Sequence, residues 1–296
     1  MPENNSGQTA RRGGADMHTA DKFKALFLAL AFPVFYYFVR LAAYNIWLPA
    51  VRHWERAAAP GLDETMLAGR VADAMARYTP FILMTGAASA VLILLALFSR
   101  KRGGLPAVAG MSPMRGRGVI LRLALLGTAL NISLAALLPM LPIPAEWFAS
   151  HESGVTDALA ASGFWVQALC AAVIVPIAEE VVFRGLSHNF LKGSFPPAAA
   201  LLCQAVIFAG FHGTALQMVY VFPAALALGA VYAWQGTLRA PILLHMAFNA
   251  VSLFGVPLPR TLPLMAAVFC TSAAVSALCL VSIRRASLGE KPLSNR

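Results

Sequence analysis

Charge is scarce in this 296-residue chain: Asp, Glu, Lys and Arg make up 12% of it, against about a quarter in a soluble domain. That scarcity excludes an ordinary water-soluble fold. Acidic residues are the scarcer sign, 13 against 23 Lys and Arg. Most of the basic residues lie in tails and loops between apolar runs, where they set membrane orientation and do not mark a nucleic-acid partner. The four cysteines, Cys170, Cys203, Cys270 and Cys279, form no C-x-x-C pair and all fall inside apolar stretches, so they read as small buried hydrophobes. No His-Glu-x-x-His or its inverse occurs, and no local motif therefore marks a zinc protease. A secretory cleavage pattern after the first apolar run is also lacking, so that run reads as a retained helix. An inverted internal repeat of the kind found in many transporters is lacking too.

What the chain has is hydrophobic length. Apolar side chains make up 59% of it and its mean hydropathy is +0.68. Apolar runs extend from about Phe23 to Val51, Thr79 to Phe98, Val119 to Ile143, Gly163 to Phe183, Pro197 to Phe211, Met218 to Trp234, Ala240 to Phe254 and Thr261 to Ile283. A helical span needs roughly 20 residues, so the expected fold is all-α and polytopic, with eight transmembrane helices in a single bundle. The sixth and seventh runs are short enough to be tilted or re-entrant. Residues 1–21 are polar and expected to be a disordered tail, and 52–78 a charged surface helix. Alternating the sides puts the N-terminal tail, the 100–117 loop, the 184–192 connection, Arg239 and the C-terminal tail together, and these are the basic segments. By the positive-inside rule both termini are cytoplasmic.

Within this apolar chain the sequence Ala178-Glu179-Glu180-Val181-Val182-Phe183-Arg184 is the exception. Glu179 and Glu180 are the only acidic residues inside the long apolar runs, and a carboxylate in hydrocarbon is costly enough to mark function. Glu180 and Arg184 are four apart and can pair, while Glu179 points about 100° away and stays available. Phe208 with His212, and His245 with Asn249, have the same spacing of four. Glu179 could take a proton from water held by His212, and His245 with Asn249 could stabilise the oxyanion formed at an attacked amide. The same residues also suit a catalytic zinc on Glu179, His212 and His245, and the spacing does not choose between the two. Pro176 is expected to kink its helix and open room for water. Phe208 shapes the cavity, Gly210 and Gly213 are expected to permit close helix approach, and His188 reads as a surface histidine. The Glu pair is expected near the cytoplasmic end of its helix, with the cavity open to that side. His212, fifteen residues into its run, then sits awkwardly deep.

Glu179-Glu180 with Arg184, then Phe208 to His212, then His245 to Asn249, resembles the CPBP family. These are the CAAX-processing and bacteriocin-processing intramembrane endopeptidases, also called Rce1-like or Abi. The resemblance covers roughly residues 160–255. It implies that Glu179 activates water with His212, that His245 and Asn249 stabilise the oxyanion, and that Glu180, Arg184 and Phe208 belong to the same site. It implies an Rce1-like catalytic core at 159–255, after N-terminal transmembrane helices and loops at 22–158 and before a last helix and basic tail at 256–296. The family is described both as metalloproteases and as glutamate-dependent, metal-independent hydrolases, so the implied cofactor is none, or zinc. The implied partners are the bilayer and a membrane-associated protein or peptide substrate, with no nucleic acid. Short loops and the basic side suit a prokaryotic inner membrane. A non-catalytic immunity or binding protein and a transporter are the alternatives. A transporter needs a polar path across the full thickness, which the second, third and eighth runs do little to line.

Overall fold

The computed structural model describes residues 6–149, 161–255, 257–259 and 261–289, with side chains from residue 19 onward. The acidic loop around Glu152 and Asp157 and the last residues of the basic tail lie outside the described residues. Among the described residues all regular structure is helical: α1 (Ser6–Ala58), α2 (Glu64–Phe98), a short α3 (Gly104–Ala109), α4 (Val119–Leu137), α5 (Phe164–Lys192), α6 (Pro197–Gly210), α7 (Ala215–Gln235), α8 (Arg239–Phe254) and α9 (Leu262–Gly289). Six stretches are long and apolar enough to cross a bilayer: Thr19–Ala58 in α1, α2, Val119–Met140 including α4, α5, α7 and α9. The chain is therefore an all-α, polytopic membrane protein. Helices α6 and α8 are apolar but have only 14 and 16 residues, lengths of roughly 21 and 24 Å.

Two expectations change at the N-terminal end. The backbone is already helical from Ser6, so the disordered tail expected over 1–21 is not seen in its described part. The expected surface helix over 52–78 is instead the end of α1 and the start of α2, joined by a tight turn. Asp63 caps α2 by accepting from Met66 N–H at 2.8 Å, satisfying one of the free donors of its first turn. Glu64 pairs with Arg52 at 2.6 Å and with Arg56, while Arg70 reaches Glu55 at 2.7 Å. Each exposed pair is weak alone, but together they bind the two helix ends into one hairpin.

Close helix approach is made elsewhere than expected. A Cβ at Gly210 would meet nothing within 4 Å and one at Gly213 only Gln217 at 3.8 Å, whereas one at Gly127 would lie 2.7 Å from the Leu244 carbonyl. Gly127 thus lets α4 touch the backbone of α8. One turn on, Asn131 Nδ2 donates to the Phe248 carbonyl at 3.0 Å and to Ser252 Oγ at 2.7 Å, which fixes the height of α8. In a membrane such hydrogen bonds and close packing replace the hydrophobic force between helices.

Helix α5 runs past its expected end at Phe183. Every residue from Val181 to His188 is buried, including Arg184 and His188. Charged residues look like a helix exit in sequence, but here they point into the protein. Glu179 consequently lies near the middle of the 29-residue α5, not near the end expected to be cytoplasmic. His188, expected at the surface, is 4% exposed and meets the Tyr232 ring edge-on, centroids 5.8 Å apart. Helix α6 turns back from the Lys192 end of α5 and its 14 residues climb only about as far as Glu179. That resolves the awkward depth of His212: the helix stops halfway, and His212 just past it is level with the carboxylates.

Candidate active site

The local backbone of α5 explains how the site is held. Two π-helical stretches, Cys170–Ile174 and Val181–His188, flank Val175–Glu180; such bulges occur often at functional sites. At the first, Val175 N–H bonds the Cys170 carbonyl, five residues back. In the same register residue 176 would bond Ala171, but Pro176 has no N–H. Asn249 Nδ2 donates to the Ala171 carbonyl instead, at 2.8 Å. The proline opens the helix wall, and a side chain from α8 closes the hydrogen-bond gap. In the second π stretch Ser187 Oγ donates to the Val182 carbonyl at 3.1 Å, also five residues back.

Glu180 is fully buried and faces away from solvent, as is Arg184. Glu180 Oε1 accepts from Arg184 Nη1 at 2.7 Å and from His245 Nδ1 at 2.8 Å. The guanidinium lies over the Phe208 ring, its Cζ 4.1 Å from the centroid, so the cation is matched by a carboxylate at one edge and a π face on the other. Phe208 in turn meets Phe183 edge-on at 4.8 Å and His245 at 5.9 Å. Glu180, Arg184 and Phe208 form a buried clamp whose product is the fixed angle of His245.

Glu179 faces the other way, into a cavity of about 440 Å³ that it shares with His212, His245, Phe208 and Asn249. His245 Nε2 lies 3.9 Å from Glu179 Oε2. His212 Nδ1 is 2.8 Å from the Phe208 carbonyl; a carbonyl only accepts, so the proton sits on Nδ1 and Nε2 is left with a lone pair. The same logic at Glu180 puts a proton on His245 Nδ1. His245 Nε2 is then an acceptor in the neutral ring and a donor only in the doubly protonated one. Asn249 has one amide N–H committed to Ala171 and a second remaining for the cavity.

All five candidate catalytic residues are thus brought together, with Glu179, His212, His245 and Asn249 on the cavity wall and Glu180 behind it. The arrangement does not fit the zinc alternative. Among the described residues no three His, Cys, Asp or Glu side chains are gathered to hold a metal. Zinc bonds of about 2.0–2.2 Å put tetrahedral ligand atoms roughly 3.4 Å apart, closer than His245 Nε2 is to Glu179. The metalloprotease reading therefore loses its support in the geometry.

The cavity uses Gln167, Cys170, Ala171 and Val175 of α5, Gln217 and Tyr220 of α7, and Ser252 and Leu253 of α8. All lie between Glu179 and the Phe164 end of α5, and Ser252 is exposed. The cavity therefore runs away from the Lys192 end, which carries the basic connection. This overturns the expected opening towards the basic side. Ending α5 at Phe183 sets the carboxylates half a helix too low, and the expected opening follows from that misplacement.

No curated protein and no solved structure matches the chain. Residues 161–251, from the first turn of α5 to within α8, match the family model for type II CAAX prenyl endopeptidase Rce1-like, and the chain contains an Rce1-like CAAX protease domain over that stretch.

Proposed function

We propose that the protein is an intramembrane endopeptidase that hydrolyses a peptide bond in a membrane-associated protein or peptide, with Glu179 as general base. The observation that carries this reading is that Glu179 and His212 share one cavity wall with His245 and Asn249, while Glu180 is withdrawn into an ion pair. Two adjacent carboxylates in one helix thus have separate environments, one free to act and one fixed. Water between Glu179 and His212 loses a proton to the carboxylate as it attacks the amide carbon. The carbonyl oxygen, becoming negative, is met by the free N–H of Asn249 and by His245 Nε2 when that ring carries both protons. The proton held on Glu179 then passes to the leaving amine. General acid–base help of this kind is worth about 10²–10⁴-fold, and each oxyanion donor about a further 10²–10³-fold.

On this reading α6 and α8, short as they are, complete an eight-helix bundle in which the site needs half-length helices to bring His212 and His245 to mid-depth. Both termini are cytoplasmic in a prokaryotic inner membrane, so the cavity mouth faces the opposite side. In a variant without native cysteines, a membrane-impermeant maleimide added to intact cells is expected to label Ser252→Cys, exposed at the cavity mouth, and to leave Lys192→Cys unlabelled until the membrane is opened. The reverse pattern inverts the orientation. Peptide cleavage by the purified protein in detergent is expected to persist after exhaustive chelation, because no step depends on a metal ion. Loss on chelation, with recovery on adding zinc, defeats the metal-free mechanism.

A further inference from the structure

Glu179 and His212 have a second side. Behind them, away from the substrate cavity, they border a small chamber of about 10 Å³ that is completed by Tyr36 and Arg40 of α1 and walled by Phe183 and Phe211. That is about the volume needed to admit one water. A water also needs two to four polar partners, and the lining residues Glu179, His212, Tyr36 and Arg40, with Tyr37 beside them, carry such groups.

The two α1 residues are otherwise hard to account for. Tyr36 is 2% exposed, and its Oη is buried without a hydrogen bond to any other group of the protein. A buried phenol normally finds a partner, and leaving one unpaired costs about 1–3 kcal/mol. Arg40 lies within an apolar membrane span, where a cation is expensive unless it serves a site. Its Cζ sits 5.5 Å from the centre of the Tyr36 ring. Its stem is gripped by α2: a Cβ at Gly86 would come within 3.0 Å of Arg40 Cα and 3.1 Å of its Cγ. The close crossing of α1 and α2 therefore holds Arg40 at the level of Glu179.

We propose that Tyr36 and Arg40 are positioning residues of the hydrolytic site, holding a single water against the back of Glu179 and His212. The Tyr36 hydroxyl and the Arg40 guanidinium donate to this water, which donates in turn to the Glu179 carboxylate. The outer carboxylate oxygen is thereby fixed and the inner one is aimed into the substrate cavity. The inference rests on the hydrolytic role of Glu179 proposed above, but it concerns residues outside the 161–251 match.

Two measurements test it. In peptide cleavage, Tyr36→Phe and Arg40→Gln are expected to lower kcat by about 10- to 100-fold, the loss of one hydrogen bond to a charged group. KM should stay unchanged, since neither residue lines the substrate cavity, and Arg40→Lys should recover part of kcat. Glu179→Gln is assayed beside them. If it abolishes cleavage while Tyr36→Phe and Arg40→Gln keep wild-type kcat, the role of α1 is wrong and the function stands. The second measurement needs no activity: an experimental structure at a resolution that shows waters. One ordered water within hydrogen-bonding reach of Tyr36 Oη and Glu179, missing in Tyr36→Phe, supports the proposal even if the protein proves not to be a peptidase. A chamber without ordered water in the wild type overturns it.

Discussion

Replacing Arg184 with alanine should lower the stability of the detergent-solubilised protein by about 3–5 kcal/mol, the cost of breaking a buried ion pair by removing one partner, and should abolish cleavage. The loss has two parts. Glu180 is fully buried at 2.7 Å from Arg184, and without the guanidinium its charge has only His245 to answer it. Phe208 also loses the cation over its ring, which loosens the wall between α5 and α6. A second variant separates structure from chemistry. Replacing the pair together, Glu180→Leu with Arg184→Met, removes both charges at similar volume, and such swaps are often neutral or better for stability. Most of the lost melting temperature should return. Activity should not, because His245 no longer has the acceptor 2.8 Å from its Nδ1 that sets its tautomer and angle. Melting followed by tryptophan fluorescence, with cleavage measured on the same samples, checks both halves. An unchanged melting temperature for Arg184→Ala rules out the clamp.

How much of this is legible in the sequence depends on the kind of interaction. The membrane class follows from the scarcity of charge, and Glu179 stands out because a carboxylate between apolar residues is too costly to keep without a task. The i,i+4 spacing of Glu180 and Arg184 is enough to pair them, and the pair forms as expected. The end of α5 is misplaced at Phe183 because hydropathy treats every charge as an exit from the membrane. Burial by the protein itself, which covers Arg184 and His188, leaves no trace in a hydropathy window. That one error moves the carboxylates to the wrong depth and makes His212 look misplaced.

Other features need the third dimension. Asn249 is recognisable as polar and inward-facing, but its bond to Ala171 depends on a π turn at Pro176. The proline is the available signal, and its sequence context suggests only a kink. Gly127 lies within an ordinary apolar run, and nothing local distinguishes it from Gly210, which touches nothing. Tyr36 and Arg40 sit some 140 residues before Glu179 in the chain. In the sequence Arg40 is an interruption of the first span, although an arginine inside a span already argues for a buried partner.

On the proposed mechanism the largest effect on catalysis is expected at Glu179. Glutamine at this position keeps the size and the hydrogen-bonding reach of the side chain but cannot accept a proton from water. The fold should tolerate it, since Glu179 takes no part in the Glu180–Arg184 pair and stands on a cavity wall. The decisive measurement is therefore cleavage of a quenched peptide library by the purified wild type and by Glu179→Gln, with melting temperatures taken in parallel. The expected result is a melting temperature close to that of wild type and a kcat lower by about 10²–10⁴-fold. A Glu179→Gln protein that is equally folded and cleaves as fast as wild type would contradict the central claim that this carboxylate activates the water.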